Sequence, residues 1–238
     1  MRKKILLLIG DKFVGLKILK KLKSYSFLDI EVFHSDKILK GRNFTFLKNK
    51  RQFISKFKKK KKVDFLILVY WPWLVPNELF VKFKDSINFH PSYLPIGRGW
   101  YPHVHAILKK LKFGITLHKI SKGVDDGDLW CQKKIVFDRF SNSTDLIKIG
   151  KKEIVKLFNK NFIKIINRKI LAKKQKGKGS FFKKKDVDKY DELKLNKKYK
   201  LIDLIRINNA RKYFKKSFNF FTYKNEKYNF NIIIKKIK

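Results

Sequence analysis

At 238 residues with 44% hydrophobic content, the chain can fill one sizeable core and a small appendage. Its net charge of +42 invites a nucleic-acid or anionic-surface partner. Against that, Lys, Asn, Ile and Phe abound while Ala occurs only at Ala106, Ala172 and Ala210, the bias of an A/T-rich coding sequence; most lysines therefore read as solvated surface. The lone Cys131 excludes a disulfide framework and a thiolate metal site, and suits a reducing cytoplasm.

The basic start Met1-Arg2-Lys3-Lys4 and the apolar run Ile5 to Ile9 superficially suggest a signal peptide, but the run is short and Gly10-Asp11-Lys12 replaces a cleavage site. It reads instead as a parallel strand covered on both faces. Gly10 to Gly15 reads as a loop, after which Leu16, Leu19 and Leu22 recur at helical spacing. This opening lacks a full G-x-G-x-x-G fingerprint. Asp29 to His34 makes a second strand, with His34 as a strand end. Within the Lys-rich segment from Ser35 to Lys62, Phe53, Ile54 and Phe57 suggest a helix packing one face, and Lys58 to Lys62 its solvated end. Val63 to Tyr70 is the next buried strand; Asp64, Pro72 and Pro76 exclude a membrane span.

Ser86 to His90, Gly114 to Ile120 and Leu129 to Phe137 read as further strands, and Pro102 to Leu111 as a helix. Ser141-Asn142-Ser143 offers caps for a long helix through Leu146, Ile154, Phe158 and Ile165. This alternation predicts an α/β fold with a doubly wound, mostly parallel sheet. Lys173 to Gly179 is the predicted linker, dividing a domain of residues 1–178 from a small α+β C-terminal lobe of residues 179–238. That lobe should hold a helix over Leu201 to Phe214 and β-like runs over Phe218 to Tyr223 and Tyr228 to Ile237.

The chemistry concentrates in two stretches. Asn88 and His90 close an apolar strand two residues apart, so their side chains face the same way. Pro91, Pro95, Gly97 and Gly99 then stiffen the loop that carries Arg98, Trp100 and Tyr101. Downstream, Gly114-Ile115-Thr116-Leu117-His118 precedes Gly123-Val124-Asp125-Asp126-Gly127-Asp128. Ser92 lacks a G-x-S-x-G elbow. His103 and His105 diverge on a helix and make no metal pair.

These stretches, N-x-H-P-S-x-L-P, then G-x-T-x-H, then x-D-x-G-D, in order and at compatible separations, resemble the folate-dependent formyltransferases. That family acts on methionyl-tRNA, glycinamide ribotide and sugar amines. The resemblance implies a formyltransferase-like Rossmann variant that uses 10-formyltetrahydrofolate as donor without a metal. It assigns Asn88 and His90 to oxyanion stabilisation and Asp125 to polarising His90 and relaying a proton, with Asp128 ordering the loop and His118 supporting the site. Asp126 stands where a small or hydroxylated residue is usual. Trp71, Trp73, Leu74, Val75, Gly123 and Val124 correspond to the folate pocket, although the two tryptophans equally suit core or rim packing. Arg98, Trp100 and Tyr101 become acceptor-binding candidates. The short C-terminal lobe, with Leu204-Ile205-Arg206 through Ala210-Arg211, resembles the sugar-amine branch and points to an amino-sugar nucleotide. Methionyl-tRNA is the alternative acceptor, and a non-catalytic nucleic-acid-binding relative the third reading. The missing glycine-rich phosphate loop argues against the glycinamide-ribotide branch. A homodimer is the expected assembly where one forms.

Overall fold

The computed structural model describes residues 2–35 and 44–234. β1 (Lys3–Ile9) leads into α1 (Lys12–Lys23). The Asp11 side chain caps α1 by accepting from Val14 N at 2.9 Å. The helix thus begins before Gly15, which is buried within it and is not part of a loop as expected. A Cβ on Gly15 would meet Ile9 Cγ2 at 2.3 Å, so the missing side chain lets helix and strand pack closely. β2 (Leu28–His34) and a short edge strand β3 (Thr45–Phe46) follow, then α2 (Lys50–Lys58) and β4 (Val63–Val69). At two residues, β3 is too short to show as a periodic run.

β5 (Phe83–His90) starts earlier than its apolar run predicts. β6 (Arg98–Gly99), α3 (Pro102–Leu108), β7 (Phe113–His118), β8 (Leu129–Ile135) and α4 (Ser143–Ile166) come next. Asn142 Oδ1 accepts from Thr144 N at 2.9 Å at the start of α4. One sheet takes the order β3-β2-β1-β4-β5-β7-β8. β1 pairs in parallel with β2 and β4, and β4 with β5, while β5 and β7 are antiparallel. β1, β4 and β5 are the central strands, and the continuous apolar runs of β1 and β4 are buried, as are Ile87 and Phe89 of β5. Leu6, Leu8, Phe33, Phe53, Phe57, Leu66 and Leu68 form one core cluster on this sheet. Truncating a buried aromatic such as Phe53 to Ala should cost about 3–5 kcal/mol.

The remainder is strand-rich and small: β9 (Phe181–Phe182), α5 (Leu201–Ala210), β10 (Lys212–Tyr213), β11 (Lys216–Ser217), β12 (Phe220–Tyr223) and β13 (Glu226–Asn229). α5 stops at Ala210, short of the predicted Phe214, because Lys212 and Tyr213 turn back to pair with Ser217 and Lys216. β9 pairs with β6. The last positions of the predicted run to Ile237 lie outside the described residues. The chain divides into two compact units, Met1–His90 with Ile115–Lys133 and Lys151–Lys176, and Pro91–Gly114 with Lys134–Gly150 and Gly177–Lys238. Among the described residues no helix is long and apolar enough to cross a membrane.

Candidate active site

Two registers assemble a polar cluster in the first unit. Asn88 and His90 lie two residues apart on β5 and share a face. β7 sets His118 opposite Asn88 and Thr116 opposite His90, so His118 reaches the same face from the neighbouring strand. The chain leaves β7 at His118, and the following loop returns the Asp125 carboxylate to all three. Asp125 Oδ2 stands 3.4 Å from His90 Nδ1, and Oδ1 stands 3.6 Å from His118 Nε2. Asn88 Nδ2 lies 3.1 Å from His118 Nε2 and 3.5 Å from Asp125 Oδ1. The rings of His90 and His118 meet edge to face, 6.1 Å apart. His90 and His118 are buried.

The network fixes atom roles. His118 Nδ1 faces the Lys119 carbonyl at 2.6 Å. That oxygen only accepts, so Nδ1 carries a proton. In the neutral ring Nε2 is then an acceptor, and the Asn88 amide donates to it. Hence His118 sets which way the Asn88 amide points. Asn88 Nδ2 thus donates to His118, and among the described residues its further contact is the long one to Asp125.

The loop's conformation separates the neighbouring acids. Asp125 holds φ 52°, a left-handed value that Asp tolerates better than most residues. The Asp126 side chain instead contacts Ser121 Oγ, and a Cβ on Gly123 would overlap its carboxylate at 2.0 Å. Of the two, Asp125 is therefore the acid that meets Asn88 and His90. The base of the loop is pinned by groups that sequence inspection does not single out. Ile120 N donates to Ser86 Oγ at 3.0 Å, Trp130 Nε1 to Ser86 O at 2.8 Å, and Lys119 Nζ to Asp85 at 3.1 Å. Their only sequence signal is position, on the strands flanking the motifs.

Trp71, Trp73 and Val75 pack, partly buried, against the core cluster. The two indoles meet edge-on at 4.9 Å, and Trp71 also meets Phe53 at 5.2 Å. Leu74 is 61% exposed, and Val124 is half-buried on the Asp125 loop. Trp71 Nε1 is buried without a hydrogen-bond partner among the described residues. Arg98, Trp100 and Tyr101 belong to the second unit. There Arg98 N and Trp100 N donate to the carbonyls of Ser180 and Phe182 at 2.9 Å each. Trp100 is 47% exposed, with Lys184 Nζ 5.5 Å from its ring centroid. Tyr101 is half-buried at φ 53°.

Burial pushes the Cys131 thiol up to about 12, so it stays protonated near neutral pH and is no nucleophile. Among the described residues no group of three His, Cys, Asp or Glu side chains is placed to hold a metal ion.

Comparison with known proteins places this cluster in context. A methionyl-tRNA formyltransferase of Coprothermobacter proteolyticus is 39% identical over 77 residues, covering 32% of this chain and 25% of that protein. A dTDP-4-amino-4,6-dideoxyglucose formyltransferase of Mycobacterium bovis is 28% identical over 116 residues, 47% of this chain and 48% of that one. The matched stretches thus span a quarter to about half of those relatives' own lengths. Among solved structures, a 4-N formyltransferase from Francisella tularensis superposes with a TM-score of 0.87 at 24% identity, over 99% of both chains. An N-formyltransferase from Helicobacter canadensis, in complex with folinic acid and dTDP-3-aminofucose, gives 0.70 at 21% identity over 88% of this chain and 80% of that one. At these identities the structural likeness speaks for the fold. Residues 30–170 match the profile of the formyl transferase family. That match runs through the strands and the loop carrying Asn88, His90, His118 and Asp125, covers more than half of the chain, and places this protein in the formyl transferase family.

Proposed function

We propose that the protein transfers a formyl group from 10-formyltetrahydrofolate to the amine of an amino-sugar nucleotide. The observation that carries this reading is the convergence of Asn88, His90 and His118 on the Asp125 carboxylate within 3.4–3.6 Å. The amine nitrogen adds to the formyl carbon and gives up one proton, the carbon–nitrogen bond to the folate breaks, and the departing folate nitrogen takes one proton up; a formamide and tetrahydrofolate result. Negative charge grows on the formyl oxygen during addition. The second N–H of Asn88 is the donor given to it, and a protonated His90 adds a charge-assisted one. Asp125 favours the charged imidazolium of His90 and takes up the amine proton, directly or through water. Trp71, Trp73, Leu74, Val75, Gly123 and Val124 would hold the folate; Arg98, Trp100 and Tyr101 would hold the acceptor. The lone Cys131 suits a cytoplasmic setting. On this reading residues 1–178 carry the catalysis and 179–238 form an accessory lobe, a boundary that limited proteolysis would test.

The methionyl-tRNA reading has its own support in the 39% identical relative and the net charge of +42. The deciding experiment offers 10-formyltetrahydrofolate with a panel of amino-sugar nucleotides, including dTDP-4-amino-4,6-dideoxyglucose, beside methionylated initiator tRNA. Formyl on a sugar amine supports the first reading, and formyl on tRNA alone overturns it. No transfer to any acceptor, together with no folate binding, leaves a non-catalytic relative.

A further inference from the structure

Gln175 sits in the stretch that reads in sequence as a mere linker. Two residues upstream, Lys173 forms a backbone bridge with Leu129, Leu129 N donating to Lys173 O at 2.7 Å and Lys173 N to Leu129 O at 2.9 Å. That bridge brings residue 175 alongside the Asp125 loop. The Gln175 amide nitrogen then donates to the carbonyls of both Asp125 and Gly127, each at 2.9 Å. Two carbonyls can be met only by a donor, so the amide cannot be turned over without setting oxygen against oxygen. Its two hydrogens are thereby spent on the 125–126 and 127–128 peptide groups, which bracket Asp126 and Gly127. Those peptides need holding: Asp125 is in the left-handed region at φ 52°, a conformation that persists where its surroundings over-determine it. Two backbone donors restrain the loop at its ends, Lys119 N on Asp128 O at 2.8 Å and Ile120 N on Ser86 Oγ at 3.0 Å. Gln175 acts at the bend itself.

We infer that Gln175 is a positioning residue that clamps the Asp125 loop and so fixes the carboxylate against His90 and Asn88. The inference rests on the proposed role of Asp125. It makes the segment around residue 175 part of the catalytic apparatus, coupling the path of the chain after α4 to the geometry of the acid.

The test compares Gln175→Met, of similar length without a donor, and Gln175→Glu, of the same shape with a donor only when protonated, with Asp125→Asn. The assay is formyl transfer from 10-formyltetrahydrofolate to dTDP-4-amino-4,6-dideoxyglucose, and loop motion is read without substrate by amide hydrogen exchange over residues 123–128. Gln175→Met should lower kcat about ten- to a hundredfold, as expected for a misplacement of roughly 1 Å, with both KM values and Tm nearly unchanged and exchange in the loop accelerated. Gln175→Glu should match it at pH 8 and recover relative to it as the pH falls and the carboxyl gains a proton. Full kcat and unchanged exchange in Gln175→Met, beside an inactive Asp125→Asn, overturn the inference alone. A loss confined to the acceptor's KM overturns it too, by making Gln175 a substrate contact. If Asp125→Asn keeps full kcat, the assignment of the acid falls and the inference with it.

Discussion

Asn88, His118 and Asp125 are held in a closed circuit: Asn88 donates to His118, His118 donates to the Lys119 carbonyl, and Asp125 meets His90 and both of the others. Removing a member takes away a donor or the charge that favours it. Asn88→Ala, His90→Ala and Asp125→Ala should each lower kcat about a hundred- to a thousandfold. Asp126→Ala, whose carboxylate is turned toward Ser121, should stay within severalfold of wild type; an essential Asp126 beside a dispensable Asp125 would refute the assignment. The acceptor candidates divide in the same manner. Trp100 is half exposed, so Trp100→Ala should raise the acceptor's KM on the order of tenfold, the scale of a lost base stack, with folate affinity and Tm near wild type. Tyr101 is half-buried on a left-handed backbone, so Tyr101→Ala should lower Tm as well. If Trp100→Ala lowers Tm and harms both substrates together, its ring packs and does not stack.

At the scale of the element, the Asp125 loop and α3 each make a prediction. A Cβ on Gly127 would stand 2.0 Å from the Lys119 carbonyl oxygen, a backbone atom that cannot step aside. Gly127→Ala should therefore displace the loop and lower both kcat and Tm. Gly177 has φ 87° but nothing within 4 Å of an added Cβ, so Gly177→Ala should cost only the backbone strain, about 1 kcal/mol. On α3, His105 is buried and stacks on Phe182 at 3.7 Å with an interplanar angle of 11°. Burial holds it down to about 4, with Lys109, Lys189 and Arg211 adding to the fall and Asp186 opposing it. Unfolded, the group returns to its ordinary value near 6.5, so between those values the unfolded chain binds more protons. Stability from this group is complete above the higher value, declines as the pH drops, and is lost near the lower one. His105→Phe keeps the ring stack and removes the titration. Urea unfolding across that window should then depend less steeply on pH, a residual slope remaining from His103, held down to about 3 by burial, His105 and Arg211.

The whole molecule carries a charge of +42, and its meaning depends on the acceptor. Lys58, Lys59, Lys61 and Lys62 are exposed, whereas Lys60 pairs with Glu31 and lies 5.7 Å from the Phe33 ring centroid. Four of these five lysines are thus solvated as expected, although α2 ends at Lys58 and the others lie at or beyond its cap. Replacing those four by Gln should leave turnover on a sugar nucleotide nearly intact, since exposed charges are screened within about 8–10 Å at physiological salt. On tRNA the same change should weaken binding and flatten its dependence on salt. A steep, salt-sensitive loss of tRNA formylation would reverse the order of the two acceptor readings.

The sequence by itself determined the strands and helices whose apolar periodicity is strong, the mostly parallel sheet they imply, and the motifs around Asn88, His90, His118 and Asp125. These are local properties: a buried strand needs a continuous apolar run, and a shared face needs only a spacing of two. Gly15 read as a loop because its reason for being glycine, the approach of Ile9, is a tertiary contact. The family motif favoured Asp125 over Asp126, and tertiary structure supplied the physical reason, since adjacent acids are equivalent until a left-handed backbone turns one inward and Ser121 engages the other. Tertiary structure alone brought Gln175 to the loop, because the bridge between Lys173 and Leu129 joins positions far apart in the chain, and such pairing leaves no trace in the composition of a Lys- and Gly-rich stretch.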